Sequence, residues 1–544
     1  MPQGTIQRLL TTPAPTLGLN TVSSAADMPP TDAVEIDNLI STELGLTVRG
    51  GWYEYATGID SLNAVKSVMS WEGAPPTSLV SPLATSILFA ATDHGIYNVE
   101  GGGDLSALVP AIALSGTPGA GVFNWVQFTA AGGAHYLVAC SETDGGFLFN
   151  GLTWMKMTSV GGPGPGIVTG VNPVDFVQVC AWKKRLLFVK RASGEMWSLP
   201  IESVGGLAKV FDFGPQLIGG GSVLALCNWT QDAGAGIDDR LVIISTSGDL
   251  VIYEGTDPTD AAKFANVGVW YIGTPPVGRR CFTSDGGNVY VLTQYGVIPV
   301  NQVVQGGLDN ILTSDTSLLK QLRKLQGALN QDFQFLLATE GWELTSFPSL
   351  ALLHIARPSI AANSFIQYAF QLHSTAWSRL LDVPAITFSR RLSEIYAGTS
   401  DGRVLRVFDG FTDGKLLDGT GAHEIRSRLT PAFNYLGLPT VVKQALMVRL
   451  RFLANANPAY IVQMNADFEV NPIFAAAVAG GSVGSLWNQA FWNQDFWAGG
   501  RRAFGEWRSV ERMGYSLAPS VYVSSEEKTT LVSFEYMVKP GGPL

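Results

Sequence analysis

The residues best equipped for chemistry in this 544-residue chain are five histidines and a scatter of aspartates. His94, His135, His354, His373 and His423 never fall in H-E-x-x-H, H-x-H or another ligand spacing, so no metal site is expected. Asp238, Asp239, Asp285, Asp401 and Asp409 are the carboxylates from which a glycosidase pair would be drawn, since that reaction needs two carboxyl groups flanking the scissile bond. Most of them stand at turns or edges, where Asp is common because it bonds its own backbone. There is no G-x-S-x-G nucleophile elbow and no G-x-x-x-x-G-K-[ST] loop. The glycine-rich stretches at 116–121 and 161–166 precede no helical pattern and so offer no phosphate cradle. Cys140, Cys180, Cys227 and Cys281 form no C-x-x-C pair and are expected as buried, reduced thiols. The expectation is a chain with no catalytic, cofactor or metal residues.

Two constellations point to binding instead. The run from Leu486 to Trp497 places Trp487, Trp492 and Trp497 five residues apart, each of the first two followed by Asn-Gln. A period of five matches neither strand nor helix, so the indoles do not line one regular face. Trp with Asn and Gln suits either sugar stacking or burial at a subunit interface, and the interface or core reading is preferred. Arg501 and Arg502, just beyond, are candidate partners in that interface. The second constellation is a predicted helix over 314–329, capped by Ser314 or Asp315, with Leu318, Leu322, Leu325 and Leu329 on one face. Lys320, Arg323 and Lys324 lie off that face, as a solvated or subunit-facing helix surface does.

The elements that must position these residues are read from a repeat. Apolar strands flank Gly- or Asp-rich turns in hairpins at 87–99, 136–150, 186–199, 241–254, 289–300 and 395–408. Their turn glycines, Gly95, Gly145, Gly194, Gly248, Gly296 and Gly402, are spaced by 50, 49, 54, 48 and 106 residues. A period of 40–50 residues with about four strands per unit is that of β-propeller blades. The doubled interval holds the helix, and strands at 342–347, 351–356, 365–372 and 395–407 complete a last blade. The fold class is therefore all-β: a six-bladed propeller over 59–410 with a helical insertion near 314–329, or a seven-bladed one if Gly341 marks an eroded hairpin, with an N-terminal arm over 1–58 and a C-terminal β-rich platform over 411–544.

Composition narrows the function classes. Only 15% of residues are charged, 46% are hydrophobic, and 61 are glycine, which excludes a disordered chain. Net charge is −10, unlike a dedicated cationic nucleic-acid binder. Residues 411–544 hold 12 Lys and Arg against 11 Asp and Glu, so the whole acidic excess lies in 1–410. The uncharged stretch 105–141 is cut by Pro and Gly and leaves no apolar run of membrane length. The N-terminus lacks a secretory pattern, so synthesis in a cytoplasm is expected. Scarce charge in so long a chain is explained if surface is covered by permanent assembly.

Several motifs taken in order resemble a known family. They are Pro15-Thr16-Leu17-Gly18-Leu19-Asn20-Thr21, Met28-Pro29-Pro30-Thr31-Asp32-Ala33, Ile36-Asp37-Asn38 and Val48-Arg49-Gly50-Gly51. Further on come Trp342-Glu343-Leu344, Gln367-Tyr368, Thr375-Ala376-Trp377-Ser378-Arg379, Tyr396 to Gly402, the Trp487/Trp492/Trp497 cluster and a Gly541-Gly542 tail. The set resembles tail nozzle proteins of short-tailed bacteriophages, also called tail tubular protein B. The resemblance implies a virion tail protein and not an enzyme. It implies a homo-hexameric ring below the portal and adaptor, retaining packaged double-stranded DNA and then conducting it without sequence-specific contacts, with tail fibres or spikes docked outside. Under the resemblance a sixfold ring would carry about 60 negative charges, six times the −10 of one chain, and a mostly acidic wall would let phosphates slide, with Lys320, Arg323 and Lys324 as the candidate contacts to DNA. The alternatives are a propeller lectin using the Trp/Asn/Gln cluster and a propeller glycosidase using two of the aspartates.

Overall fold

The computed structural model describes residues 7–73, 86–232, 237–313, 317–359, 364–471 and 501–541. Its strands follow the hairpin logic of the sequence. Antiparallel sheets form in turn from Ser67–Glu72, Ser86–Ala91, Gly95–Asn98 and Ile112–Ala113; from Phe123–Thr129, His135–Ser141, Gly145–Phe149 and Trp154–Lys156; and from Phe176–Trp182, Arg185–Lys190, Glu195–Ser198 and Lys209–Asp212. A fourth sheet uses Val223–Asp232, Ile237–Ser245, Asp249–Gly255 and Phe264–Tyr271, and a fifth only Phe282–Asp285, Asn288–Thr293 and Gly296–Pro299.

The sixth and seventh sheets decide between the two expected counts. Glu343–Phe347, Leu352–Ala356, Ile366–Gln371 and Ala376–Leu381 form one sheet; Thr387–Arg391, Glu394–Gly398 and Val404–Val407 form another with Trp52–Thr57. The sequence reading fused these two into one unit because the sixth sheet lacks a glycine turn at the 50-residue beat. Among the described residues the ring therefore has seven sheets, the count that an eroded hairpin at Gly341 allows.

The seven sheets close on themselves. Apolar clusters join first to second (Phe89, Phe123, Phe147), second to third (Val138, Phe176, Phe188), third to fourth (Val189, Leu226, Ile243) and sixth to seventh (Phe347, Leu380, Phe388). Another joins seventh to first (Tyr396, Val404, Leu88), and the largest covers the fourth, fifth and sixth sheets. Trp52–Thr57 seals the circle by pairing antiparallel with Val404–Val407, Val407 opposite Trp52.

A repeated hydroxyl stabilises the hairpins. Thr92, Ser141, Ser193, Ser245 and Thr293 each accept the backbone N–H two residues on, at 3.0–3.3 Å, and Thr399 accepts that of Arg403 at 2.9 Å. These side chains satisfy turn N–H groups that have no strand partner.

After the fifth sheet the chain turns helical: α1 (Val300–Thr313), α2 (Ser317–Arg323) and α3 (Gln326–Leu336). The single helix expected over 314–329 is thus divided. The break is held from outside, since Thr21 Oγ1 donates to Lys324 O (2.8 Å) and accepts from Ala328 N (3.0 Å). Leu322, Leu325 and Leu329 are buried in the largest core cluster, whereas the proposed caps Ser314 and Asp315 lie outside the described residues.

Residues 7–58, the described part of the expected arm, are built into the sheets. Arg8–Pro13 pairs along Thr530–Pro540, Gly45–Val48 also pairs with that strand, and Leu39–Thr42 pairs with Gly45–Val48. Lys443–Ala454, Arg502–Phe504 and Trp507–Gly514 complete this layer. A second layer contains Ala33–Asp37, His423–Pro431, Leu517–Ser525 and Ala459–Ala466, and it continues the sixth sheet through Ala376–Leu381. Val448, Leu450 and Phe534 of the first layer share one core with Leu429, Val521 and Val523 of the second, a sandwich built from both chain ends.

Candidate functional site

The most constrained polar group in the ring is Arg280, just before the inner strand of the fifth sheet. Its Nη1 donates to Lys66 O (3.0 Å), Thr387 Oγ1 (3.0 Å) and Glu343 Oε2 (3.3 Å). Its Nη2 donates to Ser67 Oγ and to Phe123 O (3.1 Å). One guanidinium from the fifth sheet thus reaches the inner edges of the first, second, sixth and seventh. Glu343, buried, is further held by Thr387 Oγ1 (2.9 Å) and Thr345 Oγ1 (3.2 Å). Such charge-assisted bonds fix both charges where solvent is scarce.

Arg280 lines two cavities. One, of about 400 Å³, runs along the inner strands and is walled by Glu72, Trp125, Gln127, Glu343, Ser389 and Arg390 among others. The other, of about 620 Å³, is bounded by connecting loops and holds Lys66, Glu142, Arg279, Glu340 and Trp342. In the second, Arg279 forks onto Glu142 at 2.7 and 2.8 Å and holds that carboxyl below the usual range.

The carboxylates named for glycoside hydrolysis are dispersed. Asp239, in the fourth sheet, accepts from Thr230 and pairs with Lys183. Asp285, in the fifth, accepts from Ser346 at 2.6 Å. Asp401 and Asp409 flank one strand of the seventh and are held by Arg403 and Arg406. Of Asp238 only the backbone is described, in Ile237–Ser245. Each described carboxylate serves its own turn or edge. The histidines are equally separate: His94 meets Asp60 at 2.8 Å, His135 meets Gln127 at 2.9 Å, and His354 lies fully buried near Phe388, Phe347 and Phe408. Burial pushes the His354 imidazole down to about 3, so it is neutral. Among the described residues no three His, Cys, Asp or Glu side chains gather as a metal site. The four cysteines are buried, free thiols.

The candidate DNA contacts do not form one basic face. Lys324 is buried and its Nζ lies 2.7 Å from Asp32 Oδ1, a fully buried carboxylate that also accepts from Asn20 Nδ2 at 2.7 Å. An outward role for Lys324 is therefore corrected: it ties the helices to the N-terminal segment. Lys320 is exposed and Arg323 half-buried. Trp487, Trp492 and Trp497 lie outside the described residues. Arg501 is half-buried and Arg502 exposed, the latter on a short strand whose Phe504 pairs with Phe452.

Sequence reasoning missed the polar joint between ring and sandwich. Arg49, fully buried, forks onto Asp413 (2.8 and 2.6 Å) and also donates to Asn38 Oδ1 (3.0 Å), Gly50 O (2.9 Å) and Leu381 O (2.9 Å). Asn38, in a left-handed conformation at φ 59°, donates to Arg426 O and accepts from Leu381 N. Arg379 forks onto Asp37 at 2.6 and 2.9 Å. Two glycines permit the close packing: a Cβ on Gly18 (φ 79°) would stand 2.6 Å from Trp377 O, and one on Gly51 would overlap Thr412 O. The available signal was the paired Gly50-Gly51 beside Arg49, since adjacent glycines permit the close backbone approach found there to Phe408 and Thr412.

Together these features define a mainly β protein with many four-stranded antiparallel sheets, similar in structure to β-propeller proteins. No family model matches the chain, and no curated protein does. Among solved structures it is similar to BBS1N in complex with ARL6DN, at 12% identity and TM-score 0.37, over 66% of this chain and 97% of that one. It is also similar to YCF48 bound to D1 peptide, at 9% identity and TM-score 0.34, over 72% and 97% of the two chains. YCF48 from Cyanidioschyzon merolae gives 11% identity and TM-score 0.34, over 66% and 98%. Among the described residues no helix is long and apolar enough to cross a membrane.

Proposed function

We propose that this chain is a subunit of the tail nozzle of a short-tailed bacteriophage, a non-enzymatic virion protein in which the ring is a seven-bladed β-propeller and the sandwich is the platform. On this reading six copies assemble below the adaptor, double-stranded DNA passes through their common channel, and fibres or spikes dock outside. The observation that carries it is spatial. Of the motifs that bear the resemblance, Gly18, Asp37-Asn38, Arg49-Gly50-Gly51 and Trp377 to Arg379 are distant in sequence yet meet at one joint. Leu19 N donates to Trp377 O at 2.8 Å, Asp37 receives the Arg379 fork, and Arg49 donates to Asn38 and Leu381 O. Residues that share one joint would be retained together, so the ordered set is better support than its short pieces. Lys324 is committed internally to Asp32, so of that segment's basic side chains the exposed Lys320 is the one proposed for a DNA-facing role. Mass spectrometry of purified virions tests the proposal: the protein is expected in particles at a stoichiometry of six per tail, and its absence from them ends the reading.

A further inference from the structure

The larger cavity, bounded by the connecting loops, holds groups that the nozzle reading does not use. Pro118, Val122 and Ile386 line its about 620 Å³ and are only partly covered by protein, and Val177, Trp342 and Pro358, themselves buried, complete an apolar wall. An apolar space of this size with a few placed polar groups is the general form of a small-molecule site, about 300–1,000 Å³. Two such groups converge over Gly119, which at φ 90° carries no side chain to fill the space. From the point where a Cβ on Gly119 would stand, Thr143 Oγ1 is 3.6 Å away and the Glu340 carboxylate oxygens are 3.7 and 3.9 Å away. Thr143 comes from a hairpin turn of the second sheet and Glu340 from the loop that leads into the sixth. Both are open to a ligand: the Thr143 hydroxyl keeps accessible surface and bonds to no described residue, and Glu340 is exposed and equally unpaired.

Charge selects among ligands. The cations of the wall are already matched, Lys66 by Asp93 at 2.6 Å, Arg279 by the fork onto Glu142, and Arg280 by Glu343. Among the described residues Glu340 is thus the unpaired charge of the wall, and it favours a cation over an anion. A primary ammonium has three donors, enough to reach both the carboxylate and the hydroxyl. We propose that this cavity binds a small primary amine with an apolar body, its ammonium seated over Gly119 between Glu340 and Thr143 Oγ1 and its body against Val122 and Ile386.

The inference is independent of the nozzle reading and survives or fails separately. Titration of the full chain with tryptamine, tryptophol and indole-3-acetate, followed by ligand-detected saturation-transfer NMR, tests it, because the three probes share one ring and differ in the charge of the side chain. Tryptamine is expected to bind about three-fold more tightly than tryptophol, the size of an exposed ion pair, and indole-3-acetate most weakly. E340Q should erase the preference for tryptamine and leave tryptophol binding and the unfolding midpoint unchanged, because Glu340 bonds to no described residue. I386W, which fills the space from its wall, should abolish binding of all three. The proposal is overturned if tryptamine does not bind, if indole-3-acetate binds as tightly, if E340Q keeps the preference, or if folded I386W binds as the parent does.

Discussion

In the ring, six of seven sheets draw their strands from one continuous stretch of chain, whereas the sandwich joins strands between Arg8 and Val48 to strands between His423 and Pro540. The ring's sheets meet mainly through Val, Ile, Leu and Phe, with ion pairs such as Arg185–Asp257 and Arg280–Glu343 beside those apolar seams. The joint to the sandwich is instead made by Arg49, Asp413, Asn38, Asp37 and Arg379. The difference teaches where each part is vulnerable. A repetitive apolar interface tolerates small losses, because each sheet is supported by two neighbours. A buried polar joint fails when one partner is removed, because the other is left charged and unpaired.

The sharpest way to separate the two regions is a chain beginning at residue 51. It keeps Trp52–Thr57 to close the ring but removes three strands of one sandwich layer and one of the other. Limited proteolysis should leave 52–407 resistant while 423–540 becomes cleavable; equal cleavage of both would show that the ring depends on the sandwich. Next in size, Arg49→Ala should cost about 3–5 kcal/mol in chemical denaturation, since it strands Asp413 where its side chain is 3% exposed. A loss near zero would mean that the joint is open to water.

Acid provides a third comparison, directed at the ring through His354 between the sixth and seventh sheets. Its folded pKa of about 3 lies below the ordinary 6.5, so below pH 6.5 the unfolded chain binds a proton that the folded chain refuses. This contribution is fully present above pH 6.5. It is lost at about 1.4 kcal/mol per pH unit as pH falls toward 3. His354→Leu should flatten that part of the stability profile, and an unchanged slope would assign the acid sensitivity elsewhere. The smallest effect expected is from Ser245→Ala, which removes the acceptor for Ser247 N (3.2 Å) and Asp249 N (2.8 Å) from one hairpin. About 1–2 kcal/mol is expected, read by the denaturation midpoint. A larger loss would mean that the hairpins are not interchangeable supports.

The ring was legible because its information is local. Gly145, Gly248 and Gly402 mark turns that a single hairpin requires, and the apolar runs beside them fall on the observed strands. Counting failed at the sixth sheet, where the connection between Leu352–Ala356 and Ile366–Gln371 carries no such glycine beat. The sandwich was not legible as a unit because its pairings span the chain, and Arg8–Pro13 by itself resembles a loop. Lys324 looked like a surface charge because its partner Asp32 is 292 residues away. The axial cavity takes short runs from several sheets, around Trp125, Thr283, Leu344 and Ser389, and no local spacing relates one run to the next.

The pairing of Arg8–Pro13 with Thr530–Pro540 sets a schedule for the chain as it is made. Thr12 and Tyr536 touch across a separation of 524 residues. At roughly 5–20 residues per second, the first strand waits roughly 25–105 s for its partner to leave the ribosome. Trp52–Thr57 waits for Val404–Val407 in the same way, so the ring stays an open crescent until its last sheet is translated. For that interval the newborn chain carries two unpaired strand edges, the surfaces most prone to wrong pairing with another copy. Folding of this protein is therefore completed from the inside outward in sequence, with the pairing of the two ends formed last.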